Sequence, residues 1–271
     1  MEDIKKRREN FEQLGKIYPK DNSVTVEPTA INGVSCYWFT PPNAAANKII
    51  VYLHGGAFAV GSIRSHQALV SHISQKLKTK VFFVEYALAP EQPYPAAPTD
   101  VFNIYKALLN IYPGYSISLI GDSAGGGLIV SLVGDLLKQQ IKLPAAAIMI
   151  SPWISLSCDN PSHETNRAKD PILTREYAKS SAKDYIGNAS LATASPENVP
   201  LSAFPPVLIV VGANEILLDD SLNFYNQVKP VQQNTVLSVY ENQNHVWPLA
   251  NVHSEASQKV LTEMSEFLSV L

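Results

Sequence analysis

Cysteine is scarce in this chain. Cys36 and Cys158 are the two among 271 residues, in unlike contexts, which excludes a disulfide framework and a cysteine metal-ligand pair. Excess charge is also missing. Lys and Arg number 21 against 24 Asp and Glu, for a formal charge of −3 and a pI near 6.1. That balance gives no electrostatic basis for binding nucleic acid or an anionic membrane. No apolar run approaches the roughly 18 residues that a membrane span needs. The start, MEDIKKRREN, lacks the apolar stretch of a secretory signal. Repeats and low-complexity tracts are absent. The expectation is a soluble, cytoplasmic protein.

Hydrophobic residues make up 46% of the chain, enough for a sizeable core. Apolar runs of strand length alternate with segments of helical period. VTVEPTAI (24–31) and VSCYWFT (34–40) flank Asn32-Gly33, a hairpin signal. The runs at 48–54, 81–86, 116–121, 145–151, 206–212 and 235–241 are mostly continuous Val, Ile and Leu, as strands buried on both faces of a parallel sheet require. Helical patterns cover 66–78, 99–112, 124–140, 219–228 and 254–271. A hairpin followed by strand–helix repeats predicts one α/β domain over 1–271 with a mixed, mostly parallel sheet.

Residues 153–205 contain no strand-like run and are too long for an ordinary connection. They read as an inserted helical cap, with Trp153, Tyr177, Tyr185 and Leu191 as apolar anchors and residues 1–23 as a further contributor.

The most informative stretch is SLIGDSAGGG (118–127). Gly121-Asp122-Ser123-Ala124-Gly125 fits G-x-S-x-G, in which a strand turns sharply into a helix and displays a serine nucleophile. The pattern alone is weak and needs a base, an acid and an oxyanion hole. His245 follows the last expected strand, at the same rim of the sheet as Ser123. His66, His72, His163 and His253 suit structural or surface roles, and His54 suits bracing of its own loop. Glu215 comes first after strand 206–212, whereas Asp219 and Asp220 suit the N-terminal cap of the next helix. The chain order Ser, acid, His is that of an α/β-hydrolase. At the end of strand 48–54 stands His54-Gly55-Gly56-Ala57. There the amides of Gly55 and Gly56 could join that of Ala124 around a developing oxyanion.

These segments resemble the hormone-sensitive-lipase-like branch of α/β-hydrolase esterases. The likeness runs through HGGAFAVGS (54–62), YALAPEQPYPAAPTD (86–100), GDSAGG (121–126), SPW (151–153) and FPPVLIVVG (204–212). It covers roughly residues 48–250. Carried over by position, it implies Ser123 as nucleophile, Glu215 as acid, His245 as base, and Gly55, Gly56 and Ala124 as oxyanion donors. The chain departs from the family pattern in four places. Glu replaces Asp at 215, Ala57 replaces a glycine, Ala87 replaces an arginine, and the N-terminal arm is short, which should leave the acyl pocket more open or less well formed.

The resemblance implies hydrolysis of small, short-acyl esters through an acyl-enzyme, with no metal and no organic cofactor. An amidase, deacetylase or formamidase would use the same triad, and a non-catalytic binding protein would use only the pocket. Edge strands could pair two copies into a homo-oligomer, although no feature compels it.

Overall fold

The computed structural model describes residues 3–271. Among them, eight strands form one sheet in the order β1-β2-β4-β3-β5-β6-β7-β8. The strands are β1 (Thr25–Ile31), β2 (Val34–Thr40), β3 (Lys48–Leu53), β4 (Lys80–Val84), β5 (Ser116–Asp122), β6 (Ala147–Ile150), β7 (Val207–Gly212) and β8 (Thr235–Tyr240). β1 and β2 form the antiparallel hairpin, with Ile31 opposite Val34. Asn32 and Gly33 both have positive φ, 53° and 83°, as a two-residue turn with the twist of a hairpin demands. β2 runs antiparallel to β4, and from β4 to β8 every neighbouring pair is parallel.

Side-chain alternation along the strands builds two cores. Ile49, Val51, Leu53, Leu119, Met149 and Ile209 face one side, under helices α3 (Ala96–Ile111), α4 (Ala124–Lys138) and α8 (Leu218–Val228). Ile50, Tyr52, Ile120, Ile148 and Val210 face the other. There they meet α2 (Ile63–Leu77) and the C-terminal helix α10 (Glu255–Ser269). Burial on both faces explains why the central strands read as unbroken apolar runs. Each such side chain contributes about 1.5–3 kcal/mol when fully buried. Cys36 and Cys158 are buried free thiols. Burial pushes both up to about 12.

The remaining helices lie above the carboxyl rim of the sheet. α1 (Ile4–Phe11) opens the chain, and a 3₁₀ turn, Glu12–Lys16, follows it. Between β6 and β7 come α5 (Ser162–Thr165), α6 (Arg175–Ile186) and α7 (Leu191–Ala194), and α9 (Trp247–Ala250) follows β8. Trp153 and Tyr185 are buried as expected, but Leu191 is 40% exposed. Asp219 and Asp220 also depart from expectation, because Leu217 occupies the N-cap of α8 and both acids sit in its first turn. Their partners belong to the long insertion. Asp220 accepts from the amides of Ile154 and Ser155 (2.9 and 2.7 Å) and from Asn160 Nδ2 (2.9 Å). Asp219 accepts from the amide of Ser162 at 2.7 Å. Among the described residues, no helix is long and apolar enough to cross a membrane.

Candidate active site

The serine stands at the bend between β5 and α4. Ser123 has φ 50° and ψ −117°, a conformation that costs a non-glycine residue on the order of 1–3 kcal/mol. Its neighbours allow the bend because they lack side chains. A Cβ on Gly121 would lie 2.6 Å from the Gly125 carbonyl, and one on Gly125 would lie 1.9 Å from the Leu53 carbonyl oxygen. Hydrogen bonds hold the strained residue. Its N–H donates to Ile150 (2.9 Å), and its C=O accepts from Trp153 (2.9 Å) and Gly126 (3.0 Å). The side chain is thereby aimed above the rim.

His245 and Glu215 arrive from the ends of β8 and β7. Ser123 Oγ lies 2.9 Å from His245 Nε2, and His245 Nδ1 lies 2.8 Å from Glu215 Oε2. The carboxylate is fully buried, so Nδ1–H donates to it and Nε2 is left to accept from the serine hydroxyl. Burial pushes the His245 pKa down. The Glu215 hydrogen bond and charge, with Asp170 and Asp122 behind them, outweigh that and hold it above the usual histidine range. The Ser–His–Glu alignment expected from the sequence is therefore present as geometry. The second oxygen of Glu215 accepts from the amide of Gly212 and the hydroxyl of Ser151, both at 2.6 Å. Ser151 also accepts from the Val246 amide at 3.1 Å, joining the segment after β6 to the loop that carries the histidine. Ser151 appeared in the sequence only within the SPW likeness, and its contact with Glu215 had no signal there.

The glycine loop requires one correction. Gly55 does not present its amide to the serine, because its N–H donates to Asp122 Oδ1 at 3.0 Å. The same buried carboxylate accepts from Tyr52 Oη at 2.8 Å and faces His66 Nε2 at 3.4 Å. Burial raises the Asp122 pKa, but His66 and Tyr52 more than offset it, so the carboxyl is held below its ordinary value. Past Gly55 the chain curls into a turn with Val60 N–H on the Gly56 carbonyl (2.9 Å), and Ala57 and Phe58 take positive φ of 54° and 59°. The amides of Gly56, Ala57 and Ala124 donate to no protein acceptor among the described residues. Ala124, as the first residue of α4, has no intrahelical partner. His54 braces the loop as expected. Burial, then the nearby His66, lowers its pKa to about 3, so the neutral ring donates from Nδ1 to the Gly55 carbonyl at 2.7 Å. Its ring stacks on Tyr86 at 4.3 Å. His253 is exposed at the surface.

An apolar cavity of about 120 Å³ opens over Ser123 and His245. Its walls include Ile172, Leu173 and Tyr177 from the 153–205 insertion, Leu249 from α9, and Phe11 and Leu14 from the N-terminal arm. The N-terminal arm thus forms part of the cavity wall. It closes one side, and two arginines fasten it there. Arg7 donates to Tyr177 Oη and Ser181 Oγ (3.1 and 3.3 Å). Arg8 donates to the carbonyls of Ala59 (2.9 Å) and Ala89 (3.0 Å) and pairs with Glu91. Among the described residues, no group of three His, Cys, Asp or Glu side chains could hold a metal ion.

The family profile described as alpha/beta hydrolase fold matches residues 50–249. The chain belongs to that family. Among individual relatives, it is 30% identical over 267 residues to an esterase of Acinetobacter venetianus, covering 96% of this chain and 87% of the relative. It is 33% identical over 243 residues to an acetyl-hydrolase of Streptomyces hygroscopicus, covering 89% of this chain and 79% of that one. A crystal structure of an esterase from the bacterial hormone-sensitive lipase family superposes with a TM-score of 0.95 at 33% identity, covering 99% of this chain and 91% of that chain. The resemblance read from the motifs thus extends over nearly the whole chain.

Proposed function

We propose that this protein is a carboxylic ester hydrolase in which Ser123, His245 and Glu215 act as nucleophile, base and acid. The observation that carries the reading is the continuous relay from Ser123 Oγ through His245 to Glu215 at 2.9 and 2.8 Å, set beneath an apolar pocket. His245 takes the hydroxyl proton as Ser123 attacks the ester carbonyl. The amides of Gly56, Ala57 and Ala124 receive the oxyanion; losing one such donor typically costs roughly 10²–10³ in rate. The imidazolium then protonates the leaving alcohol, and water activated by the same histidine releases the acid from the acyl-enzyme.

The small apolar pocket supports uncharged esters with short acyl chains. The acetyl-hydrolase among the relatives points the same way. Residues 153–205 together with the N-terminal arm serve as the lid that defines that pocket. We place the protein in the cytoplasm, acting on small dissolved esters. The outer strand β8 offers a site for pairing two copies.

The test is hydrolysis of a p-nitrophenyl ester series from acetyl to long acyl chains, alongside Ser123→Ala. Activity that peaks at short chains and disappears in the variant is expected. A variant that retains turnover, or a folded wild type inert to every ester, would overturn the assignment. A wild type that cleaves matched amides instead would redirect it to amide hydrolysis.

A further inference from the structure

One element of the molecule with no part in the proton relay is nevertheless built around it. The stretch Asn166-Arg167-Ala168-Lys169-Asp170, just after α5, folds back on itself, with Asp170 N–H donating to the Asn166 carbonyl at 2.9 Å. Both end residues are buried, at 4% and 8% exposure, and both point at the loop that carries Glu215. Asn166 Nδ2 donates to the Glu215 carbonyl at 2.8 Å and to the Ala213 carbonyl at 3.0 Å. Asp170 Oδ2 accepts from the Ile216 amide at 2.9 Å. The Glu215 carbonyl and the Ile216 amide are the two polar groups of a single peptide plane. That plane is therefore gripped on both edges by side chains from another segment.

The other oxygen of Asp170 is also engaged. Oδ1 accepts from the amides of Ile172 and Leu173 at 2.8 and 2.9 Å, and the side chains of both residues wall the cavity above Ser123. Among the described residues the buried Asp170 carboxylate pairs with no cation, and its three amide donors stabilise it instead. Here it joins two things that catalysis needs, the orientation of the acid and the position of the pocket wall.

We propose that Asn166 and Asp170 are positioning residues for Glu215, a clamp that fixes the Glu215–Ile216 peptide and ties it to the pocket wall at Ile172 and Leu173. The inference rests on the hydrolase reading, in which Glu215 orients His245. Three carboxylates bear on that histidine: Glu215 after β7, Asp170 in the insertion and Asp122 at the end of β5. Asp170 therefore acts on it by charge as well as by position.

Asn166→Asp keeps the side-chain shape but replaces the donor with a carboxylate facing two carbonyls. Asp170→Asn can satisfy the acid loop or the pocket wall, but not both. In each variant kcat on p-nitrophenyl acetate should fall roughly 10- to 100-fold, the scale on which misplacing a reactive group by about 1 Å operates. In Asn166→Asp, KM should stay within about threefold, because its grip is on the acid loop and not on the pocket. In Asp170→Asn the acidic limb of kcat/KM should move to lower pH, since a negative charge favouring the imidazolium is gone. Circular dichroism establishes folding first, and Asn166→Ser replaces any variant that fails it.

Folded variants with wild-type kcat and an unmoved acidic limb would overturn the clamp. So would a loss of kcat matched by an equal rise in KM with no pH shift, which would assign a purely structural role. The rate of covalent labelling of Ser123 by a fluorophosphonate separates this proposal from the hydrolase reading. If the wild type labels rapidly but hydrolyses no ester, slower labelling in the variants still supports the clamp, and equal labelling removes it.

Discussion

Ser151 and Glu215 lie 2.6 Å apart in the buried floor of the site, the serine hydroxyl donating to the carboxylate oxygen that His245 does not use. Ser151 holds φ 49° to reach it. Ser151→Ala would remove one of two donors to that oxygen and leave the Val246 amide without its acceptor. A buried polar group left unsatisfied costs about 1–3 kcal/mol. The expected outcome is a fall in kcat of roughly tenfold with a lowered melting temperature. Both are read from steady-state kinetics and a thermal unfolding scan.

Glu215→Gln tests the acid directly. The amide nitrogen would face either His245 Nδ1–H or the donors from Gly212 and Ser151, and each pairing sets donor against donor. Loss of the equivalent carboxylate in a serine triad lowers kcat on the order of 10⁴-fold, and a drop of that order is expected here. In the wild type, His245 must be neutral to act as base, and its pKa lies above the usual 6.5. The acidic limb of kcat/KM should therefore fall above pH 6.5, and in Glu215→Gln any residual activity should titrate at lower pH. A pH–rate profile of both proteins checks the two expectations together.

Phe11 reaches the pocket from the first helix. Phe11→Ala should enlarge the cavity and move the preferred acyl length upward. Each methylene that becomes buried is worth about 0.8 kcal/mol, or roughly fourfold in kcat/KM. Competition between p-nitrophenyl acetate and hexanoate measures the change, and an unaltered ratio would remove Phe11 from the acyl wall.

Asp220 makes folding sensitive to pH. Burial raises its pKa to about 7 in spite of its hydrogen bonds from Ser155, Asn160 and Ile154. The unfolded side chain titrates near 3.8, so the native state binds the extra proton between these values. The associated stability is fully present below about pH 3.8 and is lost as pH rises through about 7. Asp220→Asn should flatten this part of the stability curve. The difference in melting temperature between wild type and variant, followed from pH 5 to 8, reports it.

Much of this was legible in the sequence for physical reasons. Strands buried on both faces must be apolar throughout, so β3, β5, β6 and β7 stand out as runs. The bend at Ser123 needs glycine at 121 and 125 because backbone lies within 2.6 Å of any side chain there. Ser123, Glu215 and His245 each follow a strand end, so their convergence could be read from order alone. Orientation within a loop could not. Which amide of His54-Gly55-Gly56-Ala57 faces the serine depends on the turn at Ala57 and Phe58, whose left-handed backbone neither residue type favours. Gly55 was misassigned for that reason. Contacts between distant segments were equally silent. Nothing in Arg7, Arg8, Asn166 or Asp170 marks a partner 46 to 170 positions away.

The division of labour around the pocket has a practical consequence. The reacting groups project from the sheet rim, held by strands that cannot shift without disturbing both cores. Much of the wall that meets the substrate belongs instead to helices laid over that rim, from the start of the chain and from the insertion after β6. Selectivity is thus carried largely by polypeptide outside the sheet, and Asn166 and Asp170 of the insertion reach back from it to the acid loop. Exchanging Phe11, Leu14, Ile172 or Tyr177 should recut the acyl preference while the proton relay continues to run as before, which makes the arm and the insertion the natural places to diversify the enzyme.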